Sequence, residues 1–113
     1  MLFRSFAFSG GVLAYNVYAG GSSFFSNSPV SINTWYHVAV VRSGSTITGY
    51  INGNSVGTIT NSSTLGNNNG AYVSGISSGS DVVYGYIDGL RITKGYARYT
   101  ANFTPPTAAF PTR

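Results

Sequence analysis

The stretch "WYHVAVVRSGSTITGYING", residues 35–53, constrains the fold more than any other part of the chain. On an extended backbone Tyr36, Val38 and Val40 point to one side, and Trp35, His37, Ala39 and Val41 to the other. Both sides are largely apolar. That predicts a central strand over Trp35–Arg42, covered on one face and partly sheltered on the other. Ser43-Gly44-Ser45 turns the chain, and Thr46–Ile51 returns with β-branched residues at 46, 47, 48 and 51. Asn52-Gly53 follows, the pair best suited to a type I′ turn, which needs positive φ at both central positions. The turn sets Ile51 opposite Asn54 and opens a further strand over 55–60.

Other segments follow the same pattern of short strands and tight turns. Residues 6–8 and 12–18 read as two strands joined at Gly10-Gly11, and Phe24-Phe25 begins another. Residues 27–33, with Pro29, read as a loop, as does the polar run 61–70. Short strands are expected over 71–75 and 82–86, and the last strand over "YIDGLRIT", 86–93. The remainder, 94–113, is expected to form a helical turn over "ARYTAN" and then to run extended, because Pro105-Pro106 and Pro111 suit neither helix nor interior sheet. Many short strands with closely spaced turns describe an all-β antiparallel sandwich. At 113 residues the chain suits a single domain, with a core over 6–93 and a Pro-containing tail over 94–113.

Composition narrows the function. The chain has no Glu, no Gln and no Cys. Disulfides and thiolate metal sites are therefore excluded. Six bases face two acids for a formal charge of +4, yet charged residues make up only 7% of the chain. Three of the bases, Arg91, Lys94 and Arg98, form one small patch, too sparse for a phosphate-tracking surface, so nucleic acid is not expected as a partner. No apolar run approaches membrane-spanning length and no signal-peptide pattern opens the chain, so no membrane association is expected. A surface of Ser, Thr, Asn and Tyr suits a virion, extracellular or cell-surface setting. Export would then proceed through a larger parent protein or a route such as phage assembly.

The segment "TWYHVAVVRSGSTITGYINGNSVG" resembles the central hairpin of laminin-G-like, concanavalin-A-like jelly-roll domains. Trp35, His37, Val38, Ala39, Gly44, Asn52 and Gly53 match its pattern. The later "YGYIDGLRITKGYARY" is similar to the family's closing strand, with Gly85, Ile87, Asp88, Leu90, Arg91 and Ile92 in place. The tail "KGYARYTANFTPPTAAFP" resembles the ending of phage-type versions of the domain. The family usually carries a strand-bearing segment before the equivalent of 12–18. The resemblance therefore implies either a whole domain over 1–113 or its C-terminal two-thirds. Leu2-Phe3-Arg4-Ser5 is also what one reading frame of a common sequencing adapter encodes. The opening residues are thus either the start of a metagenomic fragment or an edge strand over 2–8.

Candidate sites are few. Sugar-cleaving enzymes of this broad fold use paired carboxylates, and Asp81 and Asp88 are the only side-chain carboxylates in the chain. Neither catalysis nor a catalytic residue is expected, and Asp88 reads as a structural residue of the closing motif together with Arg91. His37, the only histidine, reads as a packed structural residue alongside Trp35, Asn52 and Gly53. Some relatives bind calcium. Calcium takes six to eight oxygens, usually including several carboxylates, so no cofactor is expected and Asp81 is only a weak metal candidate. Asn67, Asn68, Asn69, Tyr72 and Tyr84 are candidates for a ligand-binding rim, since aromatic faces pack on sugar rings while amides bond hydroxyls. The expected function is a non-catalytic adhesion module contacting glycan or protein, working with further copies or a larger parent chain. The alternatives are a purely structural virion component and, more distantly, a fragment of a glycan-active enzyme.

Overall fold

The computed structural model describes residues 3–9, 12–17, 22–62 and 84–110, with side chains described from Pro29 onward. Six strands follow one another: β1 (Phe3–Ser9), β2 (Val12–Val17), β3 (Ser22–Pro29), β4 (Val38–Ser43), β5 (Thr46–Ile51) and β6 (Asn54–Thr60). They form two three-stranded antiparallel sheets, β1-β2-β3 and β4-β5-β6, which approach each other at β3 and β6. The described residues contain no helix.

The hairpins follow from the turn chemistry. Ser9 pairs with Val12, so β1 and β2 are joined across the two-residue Gly10-Gly11 link. Ser43 pairs with Thr46 across Gly44-Ser45, with Gly44 at φ +60°. Ile51 pairs with Asn54 across Asn52-Gly53, whose φ values of +50° and +80° are those of a type I′ turn. That turn twists with the flanking strands and fixes their register.

β5 is the middle strand of its sheet and supplies the core. Ile47, Tyr50 and Ile51 are buried, and Gly49 with them. Burying each of the large apolar side chains stabilises the fold by about 1.5–3 kcal/mol relative to exposure. Between Gly49 and Tyr50 the β5–β6 register shifts: Gly49 faces Gly57 and Tyr50 faces Ser55, which leaves Val56 as the extra residue of a bulge. Asn61, just beyond β6, is buried, and its N–H donates to the Ser45 carbonyl at 2.7 Å, closing the far end of the sheet.

Five expectations are corrected. The strand expected over 35–42 begins at Val38. His37 is occupied by the turn: its N–H donates to Asn52 Oδ1 at 2.9 Å and its carbonyl accepts from Asn52 N–H at 2.8 Å. Beyond that pair β5 has turned away, so Tyr36 and Trp35 have no opposite strand, and Trp35 is 67% exposed. The loop expected from residue 27 begins after Pro29, because β3 runs to that proline. A proline is tolerated at a strand end, where its missing N–H interrupts no ladder.

The strand expected over 86–93 is irregular coil. Gly89 breaks its extended run with φ +61°. No helical turn forms over 97–102 either. The Phe103 N–H, which would close such a turn, instead donates to the Gly53 carbonyl at 2.9 Å. The strand expected at 82–86 is not formed over its described part, 84–86. Residues 82–83, the strand expected at 71–75, the loop residues 63–70 and the tail end at 111–113 lie outside the described residues.

Candidate binding surface

Two arrangements are built around the β5–β6 hairpin and the residues that follow residue 84. The first is a docked tail. Beside the Phe103–Gly53 hydrogen bond, Asn102 Oδ1 accepts from the Ser55 N–H at 2.9 Å, so the tail takes up two backbone groups next to the turn. Phe103 stacks on Tyr99, with ring centroids 3.5 Å apart and planes 6° from parallel. The edge-to-face partners of Phe103 are Tyr50 at 5.4 Å and His37 at 5.5 Å. Tyr50 also meets Tyr99 edge-on at 6.4 Å. Such pairs contribute about 0.5–1.5 kcal/mol each beyond the area they bury.

Phe103 lies at the centre of this cluster, and His37 packs against it. The backbone groups of His37 are bonded to Asn52, while its buried Nδ1 has no hydrogen-bond partner among the described residues. With an aromatic edge packed on the ring, the arrangement is that of a packing residue. Gly53 is required twice over: by its positive φ, and because a Cβ there would collide with the Phe103 carbonyl oxygen.

The second arrangement is an exposed, apolar and basic run over 84–98. Tyr84 is 97% exposed and Tyr86, Leu90, Ile92 and Tyr96 are also largely in solvent. Arg91 is half-buried, with its guanidinium 3.8 Å from the centre of the Phe110 ring. Arg98 donates from Nη2 to the Tyr96 hydroxyl at 2.6 Å and from Nε to Thr93 Oγ1 at 3.3 Å. Its guanidinium lies 5.4 Å from the Tyr96 ring centre. Asp88 and Lys94 are exposed.

Of the rim candidates, Tyr84 is described and stands in solvent, whereas Asn67, Asn68, Asn69 and Tyr72 lie outside the described residues, as does Asp81. Among the structural motif residues, His37, Asn52 and Gly53 come together at the docked tail. Trp35 stands apart in solvent, and Asp88 and Arg91 belong to the exposed run. For calcium, the described residues contain no group of three His, Asp or Glu side chains, and exposed Asp88 alone does not provide a carboxylate cage. The docking role of Tyr50, Tyr99, Asn102 and Phe103 is not legible in the sequence. The signal they leave is the aromatic spacing of "YTANF" ahead of Pro105-Pro106, a segment whose docking partner is distant in the chain.

The family model of the concanavalin A-like lectin/glucanases superfamily, of laminin G type, matches residues 3–98. The chain belongs to this superfamily. The match takes in both sheets of the laminin G-type domain and the exposed run, and it stops short of Asn102 and Phe103. Among solved structures, the domain is similar to part of an S-layer domain-containing protein from Clostridium thermocellum, at 28% identity and a TM-score of 0.48. That likeness covers 82% of this chain and 46% of the other, so the chain spans less than half of that structure. No curated protein matches it.

Proposed function

We propose that this laminin G-type domain is a non-catalytic binding module of an extracellular, cell-surface or virion structure, contacting glycan or protein. The observation that carries the reading is the exposed run over 84–98: within a family of concanavalin A-like lectins and glucanases, it presents Tyr84, Tyr86 and Tyr96 to solvent. An aromatic ring that stands in solvent packs on a sugar ring or a protein surface without first breaking core contacts. The lack of catalysis rests on charge. Hydrolysis at a glycosidic bond takes two carboxyl groups flanking it, one to protonate the leaving oxygen and one to act as nucleophile or base. The whole sequence offers Asp81 and Asp88 alone, and Asp88 stands exposed. The polar, weakly charged surface supports the extracellular setting, and the tail's resemblance to phage-type domains supports a virion.

Affinity electrophoresis of the full chain through gels containing a panel of polysaccharides, with reducing ends assayed in parallel, tests the proposal. Retardation by at least one polysaccharide without new reducing ends is the expected result. Release of reducing ends would overturn the non-catalytic reading, and a chain retarded by no polysaccharide and captured by no surface protein would overturn the binding reading.

A further inference from the structure

We propose that residues 91–98 form a site for an anionic polysaccharide, one whose sugar rings carry carboxylate or sulfate groups. The proposal rests on the binding reading above and narrows its ligand class. Three cations, Arg91, Lys94 and Arg98, fall in this short run, and none of them has a carboxylate partner among the described residues. Arg98 is held rather than free. Its bonds to Thr93 and Tyr96 use two of the five N–H groups of a guanidinium, leaving three for an incoming anion. The same bonds fix the neighbouring Tyr96 ring, which stays 61% exposed. A fixed aromatic face beside a fixed guanidinium is the pairing that an acidic sugar needs: the ring's C–H face packs on Tyr96 while its anion is bonded by Arg98. Preorganisation matters because holding these long side chains is a cost that ligand binding no longer carries.

Arg91 extends the site. Its guanidinium stacks on Phe110 at 3.8 Å, and it lies two residues before Thr93, half-buried as Thr93 is. Lys94 is exposed and adds a mobile charge for long-range attraction. Asp88 is the one acid in the described run and lies on its far side in sequence. Neutral glycans would leave the cations unused, so charge complementarity favours a polyanion. Three cations over so few residues are still too few to grip a nucleic acid along its backbone.

The test is a titration of the full chain with dextran sulfate and with neutral dextran of the same length, at 50 and 200 mM salt. A double-stranded DNA fragment serves as the control polyanion. Dextran sulfate should bind and neutral dextran bind more weakly. By counterion release at about 0.7 ion per contact, three contacts should weaken dextran sulfate binding about 20-fold between the two salt concentrations. Lys94→Glu, at an exposed position where folding is undisturbed, should lower affinity for dextran sulfate and flatten that salt dependence. Tyr96→Leu should lower affinity at both salt concentrations. Equal affinity for DNA, or variants that bind as the parent does, would overturn the proposal. Failure of dextran sulfate while a neutral polysaccharide still retards the chain would sink this site and leave the broader glycan reading standing. Capture of a protein with no response to either dextran would sink both the site and the glycan half of that reading.

Discussion

A side chain at Gly53 meets two obstacles: φ of +80° and the Phe103 carbonyl oxygen, with the Pro105 ring just behind it. Gly44 separates them, since it shares the positive φ at +60° but has nothing within 4 Å of where a Cβ would lie. Gly44→Ala should cost about 1 kcal/mol, the penalty for a left-handed backbone. Gly53→Ala should cost clearly more, about 3 kcal/mol, because the tail must also shift. Chemical denaturation of the two variants checks the ordering, and equal losses would mean that the tail is not docked. Of these two demands on Gly53, the first is legible in the sequence, because Asn-Gly between alternating runs has one good turn. The second is not, because it depends on a carbonyl in the distant tail. His37 shows the same division: a buried packing role is readable, while its loss from the strand to a bond with Asn52 Oδ1 follows only from the turn's geometry.

At the scale of elements, the β5–β6 hairpin and the tail form one unit. Tyr50 on β5 is 2% exposed, and the residues that face its ring include Tyr99 and Phe103. Phe103→Ala removes contacts to three rings at a half-buried site and should destabilise the domain by about 2 kcal/mol. Ile92→Ala, at a side chain 76% exposed, should change stability by less than about 0.5 kcal/mol. Thermal melts of the two variants make the comparison, and a neutral Phe103→Ala would contradict the docked tail. The strands were readable where apolar alternation met turn residues, as in β1, β2, β4, β5 and β6. The run 86–93 has the alternation as well, yet it is coil. Period-2 patterning reports a face that is able to pack, and it does not say whether a partner strand is present.

At the scale of the molecule, Ile87, Leu90 and Ile92 stand in solvent on one short run, apart from its basic end. Adjacent exposed apolar side chains of this kind favour association with another surface. Sedimentation velocity over a range of concentrations should therefore show self-association, and a monomer throughout would contradict it. Calcium should matter little. A ligand at a hundred times its dissociation constant stabilises a fold by about 2.7 kcal/mol, so melts with calcium and with chelator should nearly coincide. A large calcium-dependent shift would reveal a site built from carbonyl and amide oxygens. Class and family were legible at this scale, because two motifs in the right order specify a fold. Of the expected ligand rim, Tyr84 stands in solvent, and Asn67, Asn68, Asn69 and Tyr72 lie outside the described residues.

In the proposed division, the hairpin and docked tail hold the fold and the run over 84–98 binds. Amide chemical shifts of the isotopically labelled chain, followed while dextran sulfate is titrated in, test that division most directly. Shifts concentrated at Thr93, Lys94, Tyr96 and Arg98, with Asn52, Gly53, Ser55 and Phe103 unmoved and the polysaccharide intact, are the predicted result. Shifts centred on the hairpin and tail, or the appearance of cleaved sugar, would contradict it.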